Sequence, residues 1–486
     1  MHGIKVNFVF NLAGAVVPLS VALVTIPLFV SHIGAARYGV LSIVWVLLGY
    51  FGFLDLGQSR ACANELAKLG HSLRAERSKV LITSLFINVC LGVLGGLILY
   101  LAGTLLIEYL IAVPADLKPE ISTAMPWIAC LLPLALVSGV AAGALEASER
   151  FLTVNVMQVA GSTIGQVLPL LCAVFISPSL SFVIPAAALA RGLSVLLILG
   201  FVLREERPIT LRSLDWKRAK GLLSYGGWVS VTNIISPILT SLDQLVIGSL
   251  LGVVAVTHYA IPMNLVTRSQ IVAFALARTL FPRMSRLAND AATGLAESAV
   301  VSLAYGYGAL CAPAVVLVRP FIAWWMGEDF ASIAGPVAEL LLIGAWINGL
   351  GFIPYALLQG QGRPDIVAKF HVLQLIPFVF LLWYLTSRLG LIGAALAWVL
   401  RVTIDPVCLF ALARFRAMQL LRIIPPLVFL LAAYIIVSNS PMSLIYALNI
   451  AVNLTVGVAS SGMLFDRRAR GYYLSFRLPK LSRQVR

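Results

Sequence analysis

The chain has 486 residues, 60% of them hydrophobic and only 11% charged, with a net charge of +15. Soluble domains are about 25% charged, so the composition excludes a string of soluble domains. It fits an all-α polytopic membrane protein, because one apolar run after another approaches the ~20 residues that cross a ~30 Å hydrocarbon core. The positive charge does not indicate nucleic acid. Basic residues are scattered through short segments beside apolar runs, where they meet anionic headgroups of membrane lipids.

The first run, from about Val6 to Val30, is too long for a signal-peptide core and lacks an A-x-A site, so it reads as a retained helix. About fourteen candidate spans follow in chain order: 6–30, 38–62, 80–107, 121–145, 153–176, 182–203, 224–250, 258–280, 298–319, 337–360, 367–387, 392–412, 423–437 and 444–464. The thirteenth is short and starts at Pro425-Pro426. Cys62, Cys90, Cys130, Cys172, Cys311 and Cys408 have the spacing of neither a metal site nor a disulfide framework and read as small core residues. Neither metal nor cofactor is expected.

Basic residues orient this frame. With the N-terminus in the cytoplasm, nearly all Lys and Arg fall in cytoplasmic segments, and only Arg37, Lys118, Arg319 and Arg388 fall in outer ones. That is the positive-inside pattern of short loops, and it places both termini in the cytoplasm. Trp324 and Trp325 read as anchors at the outer interface.

The frame divides into a six-helix lobe (1–203), a basic cytoplasmic linker (204–223), a second six-helix lobe (224–412), helices 13–14 (413–464) and a basic tail (465–486). "IGAARYGVLS" from Ile33 stands where "LGVVAVTHYAIP" from Leu251 stands in the second lobe. "FLDLGQSRACANELAKL" from Phe53 matches the place of "FALARTLFPRMSRL" from Phe274. Such pairs predict two pseudo-symmetric lobes related by an axis along the membrane normal.

Arg191, Arg268 and Arg401 lie near the middle of spans 6, 8 and 12. Ten residues at 1.5 Å rise is about 15 Å, half the hydrocarbon thickness. A charge at that depth costs roughly 2.5–3.5 kcal/mol on insertion scales and marks a water-filled cavity or a buried partner. Arginine's fork suits phosphate, so the three predict a cationic cavity for an anionic guest. Asp405 lies one turn from Arg401, and an internal ion pair is the alternative there.

Asp243 and Asp405 are candidates for ion coupling, with Pro406 expected to kink helix 12. Asp55, near Arg60, reads as a hinge or ion-pair residue. Asn7, Asn11, Asn155, Gln158, Asn233 and Asn264 either line the cavity or form interhelical hydrogen bonds. Gly92, Gly95 and Gly96, with Gly306 and Gly308, read as close-packing faces, and His258 and His371 as side chains near helix ends without metal-like companions.

The chain resembles the polysaccharide-transport (Wzx-like) flippases of the multidrug/oligosaccharidyl-lipid/polysaccharide exporter superfamily. Carrying the resemblance are Asn7 and Asn11, Pro27, "HIGAARYG" (His32–Gly39), "DLGQSRACANELA" from Asp55, Trp228, Asp243, "LFP" (Leu280–Pro282), "WMGEDF" (Trp325–Phe330) and "QGRP" (Gln361–Pro364). It implies two lobes facing a central cavity, alternating access, and a polyprenyl-linked glycan (an O-antigen or exopolysaccharide repeat unit) carried across a bacterial inner membrane and delivered to polymerase machinery. The chain departs from that pattern in having few acids inside its helices. Within the superfamily, the alternatives are a lipid II flippase or a multidrug exporter, the latter disfavoured by a positive cavity.

An enzyme is the other class. A membrane glycosyltransferase or polysaccharide polymerase needs a sizeable outer loop, and the outer gaps here are short. Glu328 and Asp329 read as a solvated turn rather than a catalytic pair, and the sequence contains no P-loop for nucleotide. No catalytic residues are assigned.

Overall fold

The computed structural model describes residues 2–55, 57–69, 73–148, 150–206, 242–439 and 444–465, without the side chains of residues 2–16 and of isolated positions such as Arg60. Most of the expected linker 204–223, of span 7 and of the tail 465–486 lies outside the described residues, as do Trp228, Asn233 and the side chains of Asn7 and Asn11.

The described chain is helical, with no strand. Its helices are α1 (His2–Phe51), α2 (Gln58–Leu69), α3 (Arg74–Leu105), α4 (Lys118–Ala147), α5 (Phe151–Phe175), α6 (Leu180–Glu205), α7 (242–250), α8 (Val253–Ser269), α9 (Ile271–Met284), α10 (Asn289–Met326), α11 (Glu328–Gly360), α12 (Pro364–Leu412), α13 (Ala417–Leu420), α14 (Ile424–Asn439) and α15 (Leu444–Phe465). Among the described residues, eleven helical segments are long and apolar enough to cross a membrane. The protein is a polytopic membrane protein. Contacts divide it into two compact units, Met1–Thr257 and His258–Arg486, with the boundary inside α8.

Two of the longest helices pass through a glycine with non-helical backbone. Gly34 (φ 81°, ψ 158°) interrupts α1 between the first two predicted spans. Gly390 (φ 60°, ψ −138°) interrupts α12, and its effect can be measured by contact. Gln374 and Asp405 are 31 residues apart, roughly 46 Å along a straight helix, yet their side chains hydrogen-bond at 3.3 Å. The helix therefore folds back at Gly390, as the predicted spans 367–387 and 392–412 require.

Three boundaries differ from expectation. The second span ends near Phe51 and is followed by a 3-10 turn; "QSRACANELAKL" then forms the separate amphipathic helix α2. Gly57, at φ 69°, permits that turn. The predicted outer gap between Pro320 and Pro336 is almost wholly helical, closed by a one-residue turn at Gly327 (φ 96°). The thirteenth span, short in the sequence reading, is a 23-residue segment because α13 and a 3-10 turn precede α14.

In the first unit α4 is the most enclosed span, packed by α2, α3 and α6. Lipid offers no hydrophobic gain for helix association, so small residues matter most. Added Cβ atoms at Gly92 and Gly96 would collide with Pro133 and Ala129 of α4. In the second unit α11 holds the matching place, enclosed by α9, α10 and α12. Gly308 packs against Trp346 and Pro426, whereas Gly306 has nothing within 4 Å of an added Cβ and is no packing face.

Each end of the first unit is tied by an arginine–glutamate fork. At one end Arg37 Nε and Nη2 donate to Glu120 Oε2 and Oε1 at 2.9 and 2.6 Å, and Glu120 Oε2 also accepts Leu180 N at 2.9 Å. At the other, Arg77 donates through Nε to Glu206 at 2.8 Å, through Nη1 to Leu66 O at 2.6 Å and through Nη2 to Ser148 Oγ at 2.9 Å. Arg77 and Glu206 are only 2% and 4% exposed. Arg77, expected in a basic loop, is thus a buried tie between α2, α3 and the C-terminal ends of α4 and α6.

The predicted repeat has a local counterpart. Gly34 and Gly252 both take positive φ, 81° and 84°. The offset that pairs them also pairs Ala35 with Val253 and Gly39 with Thr257. Thr257 Oγ1 donates to Ala35 O at 2.6 Å, and an added Cβ on Gly39 would overlap the Val253 carbonyl oxygen. The contact is reciprocal, residue by residue, as across a two-fold axis. Gly39→Leu is expected to cut folded yield and melting temperature sharply. Gly165→Ala, where an added Cβ meets nothing within 4 Å, should leave both unchanged when detergent-solubilised protein is heated.

Candidate functional site

Arg191 sits in the middle of α6. Ile184, Ala187, Val195, Ile198 and Val202 are buried and recur at three- to four-residue spacing, forming the face that packs on the protein. Arg191 takes the central place in that row, yet its side chain is exposed. Leu189, Leu193, Leu196 and Leu203 form the exposed apolar stripe on the opposite face, as lipid requires. Arg191 therefore lies on the face of α6 that packs on the protein, not on its exposed apolar stripe.

Arg268 occupies the last turn of α8. Its span, Val253–Phe281, breaks at Gln270, where α8 gives way to α9. Tyr259, Ala260, Ile261 and Val266 of α8 are buried, whereas Asn264 and Arg268, one turn apart, are exposed. The break is held from outside the helix. Gln270 Nε2 donates to Ala345 O and Gln270 Oε1 accepts from Asn348 Nδ2, both at 3.3 Å. Ser269 Oγ lies 2.6 Å from Tyr307 Oη. Neither Arg191 nor Arg268 has a hydrogen bond or ion pair among the described residues.

Arg401 differs. It is 9% exposed, and its guanidinium lies over the Phe378 ring, 5.2 Å from the centroid. Asp405, one turn away, accepts a hydrogen bond from Gln374 at 3.3 Å and lies 3.4 Å from His371 Nε2. Sequence reasoning paired Asp405 with Arg401 along the helix and missed the cross-hairpin partner His371.

Asp243 in α7 is 2% exposed, and its Oδ1 accepts Gln244 N at 2.9 Å. Asp55 accepts Ser59 N at 3.3 Å and Ser59 Oγ at 2.8 Å, which makes it the cap of α2. His258 stacks on Phe330 at 4.6 Å. Also missed was Glu339, a 2%-exposed acid inside α11 whose Oε1 is 3.8 Å from Arg319 Nε. Among the described residues, no group of three or more His, Cys, Asp or Glu could hold a metal ion.

The family described as polysaccharide biosynthesis protein matches residues 4–288. The chain belongs to that family. It is 28% identical over 409 residues to a Shigella flexneri protein named as a candidate O-antigen transporter, covering 83% of this chain and 96% of that protein. It is 27% identical over 183 residues to the Escherichia coli lipopolysaccharide biosynthesis protein WzxC, covering 37% of each. Among solved structures, the lipid II flippase MurJ in an inward closed conformation superposes with a TM-score of 0.73 at 13% identity, over 95% of this chain and 99% of that one. An inward-facing multidrug resistance transporter of the MATE family gives 0.65 at 16%, over 85% and 98%. These two likenesses show the fold of this polysaccharide biosynthesis family member.

Proposed function

We propose that this polysaccharide biosynthesis family member flips a polyprenyl-pyrophosphate-linked oligosaccharide, an O-antigen or exopolysaccharide repeat unit, from the cytoplasmic to the outer leaflet of a bacterial inner membrane. The observation that carries the reading is Arg191, a mid-span cation exposed on the packed face of its helix. Arg268, near the middle of the span Val253–Phe281, is a mid-span cation of the second unit. Guanidinium forks match pyrophosphate oxygens.

Alternating access, coupled to an ion gradient, moves the headgroup while the lipid tail stays in the bilayer. Both termini lie in the cytoplasm, as the distribution of Lys and Arg indicates, and the delivered glycan passes to polymerase machinery on the outer face.

Deletion of the gene tests this. Lipid-linked glycan should accumulate on the cytoplasmic face, protected from an impermeant glycosidase added to spheroplasts. An unextended glycan at the outer face would show a polymerase instead. Accumulation of lipid II would show a lipid II flippase, and lost drug resistance with normal surface glycan would show a multidrug exporter.

A further inference from the structure

Gln158 and Ser162 of α5 are exposed one turn apart on one face, with no hydrogen bond among the described residues. Leu152, Val156, Leu171 and Val174 form the exposed apolar stripe of that helix, on the opposite side. Two contacts locate the polar face between neighbouring helices. On one flank an added Cβ at Gly161 would lie 3.2 Å from Ser194 Oγ of α6. On the other, Thr25 Oγ1 of α1 donates to Gln166 Oε1 at 3.0 Å. Gly165 is one turn beyond Ser162 on the polar face, and an added Cβ there would meet no atom within 4 Å. The face that looks between α1 and α6 is thus polar and unfilled, whereas the opposite face is apolar.

We infer that Gln158 and Ser162 form a sugar-recognition strip, which hydrogen-bonds hydroxyl or acetamido groups of the glycan whose pyrophosphate is held at Arg191. The inference rests on the proposed function and gives it a specificity element. Gly161 and Ser194 stand level on antiparallel helices. Arg191, three residues nearer the Leu180 end of α6, is therefore level with about residue 164 of α5. Ser162 is then within one turn of the phosphate site along the axis, and Gln158 lies about 9 Å from it toward the Phe151 end. Sugars that follow the pyrophosphate in that direction pass first Ser162 and then Gln158.

The chemistry of the strip selects among guests. Helix α5 contains no acidic or basic residue, so it offers neither a carboxylate for a cation nor a second charge for phosphate. A lipid chain would call for an apolar face. An amide and a hydroxyl each donate and accept, as sugar hydroxyl and acetamido groups do. A site that hydrogen-bonds its guest also rejects analogues lacking the matching group, because its own polar groups are then left unpaired. The strip reads the sugars, while Arg191 reads the charge that every pyrophosphate-linked lipid shares.

The test is equilibrium binding of two probes to the detergent-solubilised full chain. One is the lipid-linked glycan extracted from the deletion strain, and the other is undecaprenyl pyrophosphate, which lacks the sugars. Gln158→Leu with Ser162→Ala should weaken glycan binding roughly tenfold, the combined loss of two neutral hydrogen bonds. The same variant should bind undecaprenyl pyrophosphate as the wild type does, whereas Arg191→Ala should weaken both. Neither strip side chain has a hydrogen bond to lose, so the melting temperature should hold. If it falls in the double variant, Ser162→Ala alone serves, with an expected loss of about threefold for the glycan only. Undiminished glycan affinity, or an equal loss for both probes at unchanged melting temperature, overturns the inference alone. A deletion strain that accumulates no lipid-linked glycan, or wild-type protein that binds neither probe, overturns the proposed function with it.

Discussion

Arg191→Ala is expected to abolish glycan export in a complemented deletion strain at equal protein levels, while Arg191→Lys keeps a fraction of it. A hydrogen bond to a charged group contributes about 1.5–3 kcal/mol, so loss of the fork should weaken headgroup binding roughly 10- to 150-fold. Lysine retains the charge but not the bidentate geometry. The result discriminates function from packing through stability. Arg191 has no hydrogen bond or ion pair among the described residues, and a mid-span charge opposes insertion. The alanine variant should therefore melt at the same temperature or higher while its transport is lost. Arg268→Ala should behave in the same way. Normal export by either alanine variant would exclude that arginine from the binding site.

Glu206→Gln should have the opposite signature: a large loss of folded protein with no specific effect on what remains. Removing one partner of a buried ion pair costs roughly 3–5 kcal/mol, because the other charge stays buried without compensation. Arg77 would keep its bonds to Leu66 O and Ser148 Oγ but lose its carboxylate. The double variant Arg77→Met with Glu206→Leu should regain much of the loss, since a buried pair replaced by apolar side chains of similar volume is often neutral. Thermal unfolding in detergent, monitored beside the wild type, measures both. An unchanged melting temperature in Glu206→Gln would show that the tie between these helix ends is dispensable.

The arginines and the ion pair differ in how far the sequence disclosed them. Arg191, Arg268 and Arg401 were legible because span length and helical rise convert position into depth, a purely local calculation. The internal likeness around Gly34 and Gly252 was legible because a helix start that needs positive φ needs glycine twice. Arg77 was not legible. Its partner is 129 residues away, and a basic residue near a helix end reads as solvated when only its neighbours are considered.

Helix α2 was hidden because the apolar "FGFL" before Asp55 continues the preceding span without a change of composition; only Gly57 marks the turn. The closed turn at Gly327 lies within the outer gap that the span bounds predict between Pro320 and Pro336. His371 was set aside for lack of ligands nearby in sequence. Residues about equidistant from Gly390, such as Gln374 and Asp405, meet when α12 folds back, and His371 lies one turn from Gln374, but that register becomes usable only after Gly390 is known to be the turn.

That turn bears on how the protein is made. Charged residues near the centre of a lone span oppose membrane insertion by about 2.5–3.5 kcal/mol each, and the second half of α12 carries both Arg401 and Asp405. The first half leaves the ribosome before it and holds Phe378, Gln374 and His371 in register. If the two halves leave the translocon together, as a turn this tight favours, cation–π and hydrogen-bond partners are already in place when the charges meet lipid. A longer, looser connection at Gly390 would separate the two insertion events, and the damage should show as failed biogenesis of the last spans before any defect in transport.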